Sequence, residues 1–183
     1  MQFKTPGKHT IGNALAAATV GLHFGVSPRS IKSALENYRS EKSRMEVTKI
    51  KGVTILDDTY NANPDSVREA LRTLAEINCN GKKIVVLGDM LELGPSMVGE
   101  HLAVGTEIKR LGFEYVLTYG KGSAAIVETA GASYGFHYEE KSTLTAYLEE
   151  LVMPGDAILV KGSRGMKMEE VVIHLTDHLR SRR

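Results

Sequence analysis

From Met45 onward, six short runs rich in β-branched and aromatic residues alternate with longer segments of helical period. The runs are MEVTKI (Met45 to Ile50), VTILD (Val53 to Asp57), KIVVLG (Lys83 to Gly88), YVLTYG (Tyr115 to Gly120), GFHYE (Gly135 to Glu139) and AILVKG (Ala157 to Gly162). Between them lie segments predicted as helices near Asp65 to Ile77, Val98 to Leu111, Gly122 to Ala130, Thr143 to Leu151 and Met166 to Leu179. A chain alternating in this way buries both kinds of element best as a mostly parallel sheet with helices on its faces. Only Lys51 and Gly52 separate the first two runs, so those two are expected to form a hairpin and the others to be joined by crossovers. The expected fold is therefore α/β and Rossmann-like, with a hairpin strand at its start.

The first forty residues have a different character. GKHTIGNALAAATVGLHFG reads as one alanine-rich helix ended by Gly25, and SPRSIKSALENY as a second, with Ser27 as cap and Pro28 at its first position. Two helices without strands cannot cover both of their own faces, so residues 1–40 are expected to belong to another unit. SEKSR (Ser40 to Arg44) then serves as the linker to a domain at 41–183.

Composition removes several function classes. With 23 basic against 22 acidic residues, the net charge of +1 lacks the basic footprint of a nucleic-acid binder, and the terminal HLRSRR reads as a solvated end. No apolar run approaches the roughly 18–20 residues of a membrane span, and MQFKTPGKHT lacks the layout of a signal peptide. A cytoplasmic location is the default expectation. Cys79 is the single cysteine, which excludes an internal disulfide and leaves no redox pair. No His, Cys or carboxylate cluster has the short spacing of a zinc site.

In an open parallel sheet, ligands gather beyond the carboxyl ends of the strands. Three such ends carry more polar groups than a turn needs. LDDTYNANPDSVREAL follows its strand with Asp57, Asp58, Thr59, Tyr60, Asn61 and Asn63, VVLGDMLELG offers Asp89 and Glu92, and LVKGSRGMKMEE ends on Lys161, Ser163 and Arg164. Pro64 and Asp65 suit a first helical turn by fixed φ and by dipole, and need no function. Thr59, Tyr60, Asn61 and Asn63 offer donors and acceptors fitted to sugar hydroxyls and phosphate oxygens. Lys161 and Arg164 are suited to a carboxylate or phosphate, the arginine as a planar fork and the lysine as a movable charge; a solvated turn would also account for them. His9 and Asn13, at i and i+4, share one helical face, where capping or packing would equally explain them. His101, early in the helix after LGDMLELG, is open in the same way.

Taken in order, GKHTIGNALAAA, SRME, LDDTYNANPDSVREAL, VVLGDMLELG with His101, and LVKGSRGMKMEEVV resemble the Mur ligases from about Pro6 to Leu179. DTYNANPDS with LGDMLELG most resembles the branch that adds D-alanyl-D-alanine. The resemblance implies an ATP-dependent amide-bond formation of peptidoglycan synthesis. A carboxylate of UDP-N-acetylmuramoyl-tripeptide is activated as an acyl phosphate with Mg-ATP, and the amine of D-Ala-D-Ala then displaces phosphate. It also implies roles. His9 and Asn13 would lie on the adenine side, Arg44 would be the hinge arginine reaching nucleotide, and Asp58 would hold the ribose or orient the nucleotide. Tyr60, Asn61 and Asn63 would line the region of the phosphates and dipeptide, with Lys161 and Arg164 at the dipeptide carboxylate or the charged intermediate.

One departure qualifies the match: no GxxxxGK[ST] phosphate loop occurs, since Gly7-Lys8, Gly81-Lys82 and Gly120-Lys121 are followed by His9, Lys83 and Gly122. The family's magnesium ligands and its UDP-sugar domain have no counterpart either. The chain is thus expected to be the end of a central ATPase domain plus a C-terminal domain, with the main phosphate and metal sites outside it, and to be inert alone. Two other classes stay open: a self-contained nucleotide- or phosphate-binding module, and a non-catalytic domain docking onto a separate ATPase half.

Overall fold

The computed structural model describes residues 9–38 and 43–182 of the chain, which divide into two compact units at Glu41/Lys42. Gly7, Lys8 and the linker residues Ser40, Glu41 and Lys42 lie outside the described residues, as does the side chain of His9.

The first unit contains α1 (His9–His23) and α2 (Pro28–Asn37). Gly25, at φ 76°, ends α1 by letting its own N–H and that of Val26 turn back to the carbonyls of Leu22 and Gly21. Ser27 caps α2 by accepting from Ser30 N at 3.1 Å, with Pro28 at the first position, as its sequence predicts. Helix α1 carries no Asp, Glu, Lys or Arg, and Ile11, Leu15, Val20 and Leu22 are all more than half exposed. A helix apolar on several sides is built to be covered.

The second unit is a six-stranded sheet in the order β1-β2-β6-β3-β4-β5. Its strands are β1 (Glu46–Ile50), β2 (Val53–Asp58), β3 (Lys83–Gly88), β4 (Tyr115–Tyr119), β5 (Tyr134–Tyr138) and β6 (Ala157–Lys161). β1 and β2 are antiparallel, paired from Glu46↔Asp57 to Ile50↔Val53, and every other pairing is parallel. The two residues of the hairpin turn, Lys51 and Gly52, have φ of 48° and 82°, the pattern that matches the right-handed twist of the flanking strands.

Helices α3 (Pro64–Glu76), α4 (Met97–Leu111) and α5 (Ala124–Ala130) pack on one face of the sheet, and α6 (Lys141–Leu151) and α7 (Glu169–Ser181) on the other. The strands show why two layers are needed. Leu56, Val85, Leu87, Val116 and Leu159 meet the first helix layer, while Ile55, Ile84, Val86, Leu117, Ile158 and Val160 meet the second. Both residue sets of β3 and β6 are apolar, which accounts for runs such as KIVVL and AILV that lack polar alternation. Among the described residues no helix is long and apolar enough to cross a membrane.

One predicted helix is shorter than its sequence pattern. Met166 to Leu179 was expected as a single helix, but Arg164–Met166 is a lone 3-10 turn and α7 begins only at Glu169. Lys167 lies between them at φ 49°, a left-handed residue that no helix can contain.

Lys51 occupies a position where Asn is favoured, because a short polar side chain tolerates positive φ. Lys51→Asn is expected to stabilise the second unit by about 0.5–1 kcal/mol, within the range found when backbone preference is matched to native φ. Urea denaturation of both proteins measures the difference, and a lower midpoint for the variant would contradict it.

Candidate functional site

All five parallel strands end on one border of the sheet, and β6 enters between β2 and β3. The loops after β2, β3 and β6 therefore lie side by side. The three polar strand ends picked out in the sequence are neighbours, as a cleft of this fold requires.

Lys161, the last residue of β6, is 2% exposed along its side chain and faces Asp58 at the end of β2. Its ammonium donates to Asp58 Oδ2 at 2.5 Å and to the Asn61 carbonyl at 2.8 Å. A buried cation so placed holds the loop to the sheet, because removing either oxygen would strand a charge away from water. Asp58 uses its other oxygen to accept from Met45 N at 3.0 Å. Both residues are thus committed to neighbours across 103 positions of sequence.

The crowded turn can now be divided. Asp57 Oδ1 accepts from Thr59 N and Thr59 Oγ1 at 3.1 and 2.6 Å, so Thr59 completes a local side-chain turn. Asn63 is the N-cap of α3: its Oδ1 accepts from Ser66 N at 2.8 Å while Ser66 Oγ accepts from Asn63 N at 3.0 Å. Tyr60 and Asn61 remain at the surface. Tyr60 is 42% exposed with the Arg44 guanidinium 3.9 Å from its ring centroid, and Asn61 Oδ1 accepts from Ala62 N at 2.9 Å and Arg164 N at 3.4 Å. Tyr60, Asn61 and Arg164 are thus outward-facing side chains of this border, with Arg44 against the first of them.

Arg44 was expected at a hinge, yet its neighbours are fastened to the loop. Tyr60 N donates to the Ser43 carbonyl at 2.9 Å, Ser43 Oγ to Asp57 Oδ2 at 3.2 Å, and Met45 is 5% exposed within the core. Ser43 and Met45 hold φ of 61° and 50°, conformations that cost roughly 1 kcal/mol or more each and persist only when contacts over-determine them. Residues 43–45 are thus built into the second unit. Asn13 is exposed on α1, in the first unit.

Asp89 has a structural duty that its sequence position did not disclose. It is 4% exposed, and its carboxylate accepts from Gly122 N and Ser123 N at 3.1 and 2.7 Å. Gly120, at φ 111°, makes room: a Cβ there would lie 2.5 Å from the Asp89 carboxyl carbon. His101, fully buried, accepts from Met90 N on Nε2 at 3.1 Å and donates from Nδ1 to the Met97 carbonyl at 2.7 Å. It shapes the loop from inside, and Glu92 is exposed. Arg164, 65% exposed, pairs with Glu169 at 3.2 Å.

Residues 43–164 match the family described as Mur ligase, glutamate ligase domain. The chain belongs to the Mur ligase family. It is 39% identical over 178 residues to the UDP-N-acetylmuramoyl-tripeptide--D-alanyl-D-alanine ligase of Bacillus subtilis (strain 168), an alignment covering 93% of this chain and 38% of that protein. Among solved structures, crystal structure I of MurF from Acinetobacter baumannii superposes with a TM-score of 0.85 at 31% identity, over 93% of this chain and 38% of that one. The MurF ligase of Thermotoga maritima in complex with ADP gives a TM-score of 0.76 at 25% identity, over 90% and 37%. The Mur ligase chain described here thus spans well under half the length of these relatives, and the family match over residues 43–164 takes in the strand ends just described.

Within this Mur ligase fold the Asp58–Lys161 pair predicts its own test. Asp58→Ala leaves a buried ammonium with one carbonyl partner and is expected to cost about 3 kcal/mol, at the lower end for breaking a buried pair. That corresponds to a fall in Tm of roughly 6–12 °C for a domain of this size. Calorimetry measures it, and a loss below about 1 kcal/mol would place the pair with exposed ones.

Proposed function

We propose that this chain is the C-terminal part of an ATP-dependent ligase joining D-Ala-D-Ala to UDP-N-acetylmuramoyl-tripeptide, with residues 1–40 as the closing helices of its central ATPase domain. The observation carrying this reading is the 39% identity to a D-alanyl-D-alanine-adding ligase over nearly the whole chain, with Arg44, Tyr60, Asn61 and Arg164 gathered on one sheet border. In this reading ATP supplies the phosphoryl group that activates the tripeptide carboxylate.

The chain's own residues have more limited tasks. Arg44, steadied on the Tyr60 ring, presents a planar cation to a nucleotide, and the exposed ring beside it suits a flat or hydroxylated group. Asn61 offers its amide to the dipeptide or to the oxygen that gathers charge as the amine attacks. Arg164 suits the terminal carboxylate of the dipeptide, for which its guanidinium gives two parallel donors. Asp58 and Lys161 hold this rim in place; Asn63 orients α3, whose N-terminal N–H groups face the same border. His9 and Asn13 serve the nucleotide from the first unit. Mg2+ enters with the nucleotide, held by residues outside this chain. Reaction in the cytoplasm follows from the substrates named.

The chain has no phosphate loop and spans 38% of the relative's length, so the 183 residues alone are expected to release no phosphate from ATP. The longer ligase containing them is expected to release phosphate only when both UDP-N-acetylmuramoyl-tripeptide and D-Ala-D-Ala are present. Turnover by the short chain, or phosphate release indifferent to the dipeptide, would overturn the reading. Arg164→Ala in that ligase is expected to raise the KM for D-Ala-D-Ala about 10- to 100-fold, the worth of a lost charge-assisted contact. Steady-state kinetics with dipeptide varied at saturating ATP measures this.

A further inference from the structure

Ser163 follows Lys161 by two residues, is 3% exposed, and is hydrogen-bonded through every polar group it has. Its N–H donates to the Asp89 carbonyl at 2.9 Å, its carbonyl accepts from Met166 N at 2.8 Å, and its hydroxyl donates to the Ala62 carbonyl at 3.1 Å while accepting from Leu91 N at 2.8 Å. One small side chain thus joins the loops after β2, β3 and β6. Gly162 allows the approach, since a Cβ there would sit 2.7 Å from Met168 Cγ and 3.2 Å from Gly88 Cα. The linkage runs further: Asp89, bonded to Ser163 through its carbonyl, holds Gly122 and Ser123 through its carboxylate. Four strand ends are tied in series, with Ser163 as the link between the half bearing Asn61 and the half bearing Asp89.

The position of this link matters because two of the residues it joins adjoin outward-facing groups in sequence. Ala62, which accepts from the Ser163 hydroxyl, follows Asn61; Arg164 follows Ser163, and its N–H reaches Asn61 Oδ1 at 3.4 Å. That last contact is long and cannot hold the two loops in register by itself. The buried Ser163 hydroxyl, at 3.1 Å from the Ala62 carbonyl and 2.8 Å from Leu91 N, adds a tie to both loops beside the Lys161 bond to the Asn61 carbonyl.

We propose that Ser163 is a positioning residue of the ligase reaction: without touching substrate, its hydroxyl sets the distance between Asn61 and Arg164, and so the fit of the incoming dipeptide. This rests on the ligase reading above. In the full-length ligase, Ser163→Ala is expected to raise the KM for D-Ala-D-Ala about tenfold while the KM for ATP stays within about twofold, since a displaced group costs affinity where it is needed and little elsewhere. Ser163→Thr, which keeps the hydroxyl, is expected to recover most of the loss. In the present chain, hydrogen exchange is expected to speed up at the amides of Leu91 and Arg164 in Ser163→Ala, with Val85 in the centre of β3 unchanged. If Ser163→Ala does not fold, Ser163→Cys, of similar shape with a weak donor, carries the same expectations.

Unchanged dipeptide KM, or equal increases for ATP and dipeptide, would overturn the proposal, as would unchanged exchange at Leu91. Absence of dipeptide-dependent turnover in the unmodified ligase would instead remove the ligase reading. In that event faster exchange at Arg164 would still show the lock, and the two failures remain distinguishable.

Discussion

Everything at the candidate site depends on where β6 is placed. A strand buried on both faces and paired on both edges is inserted between β2 and β3, although it is the last strand in sequence. Its apolar residues Ala157 to Val160 have no alternative setting that removes them from water, and each buried aliphatic side chain contributes about 1.5–3 kcal/mol. The insertion brings Lys161 to Asp58 and Ser163 to Ala62 and Leu91. Hydrophobic burial thus decides the neighbourhood, and polar contacts refine it.

The polar contacts fall into two ranks. Asp58, Lys161, Asp89, His101 and Ser163 are buried or nearly so and hydrogen-bonded to protein partners, which makes them a frame. Tyr60, Asn61 and Arg164 stand on that frame and remain open to solvent. A site built this way gains accuracy because exposed groups inherit the rigidity of buried ones. Residues 43–45 extend the frame to Arg44, against the Tyr60 ring.

Much of the fold was legible in the sequence, for a physical reason. Strands such as KIVVLG and AILV, flanked by Gly and Asp, have no comparably buried alternative, and Ser27-Pro28 and Pro64-Asp65 state their helix starts through local chemistry. The helix expected from Met166 was misread because left-handed Lys167 leaves no mark in hydrophobic spacing. The site was legible as a location more than as a set of roles. Asn63 and Thr59 looked available for a ligand, but their partners lie two or three residues away and are a capping box and a side-chain turn. Lys161 looked like a mobile charge because its partner, Asp58, is 103 residues distant. No spacing rule reaches that far.

The late arrival of β6 also bears on biosynthesis. Residues 53–58 and 83–88 leave the ribosome long before residues 157–161, and until then the inner edges of two apolar strands have no partner. Nascent chains of this topology must hold a gap open at the centre of the sheet, a state prone to pairing with the wrong edge. The same insertion that assembles the rim therefore leaves two apolar strand edges of the growing polypeptide unpaired until its last strand emerges.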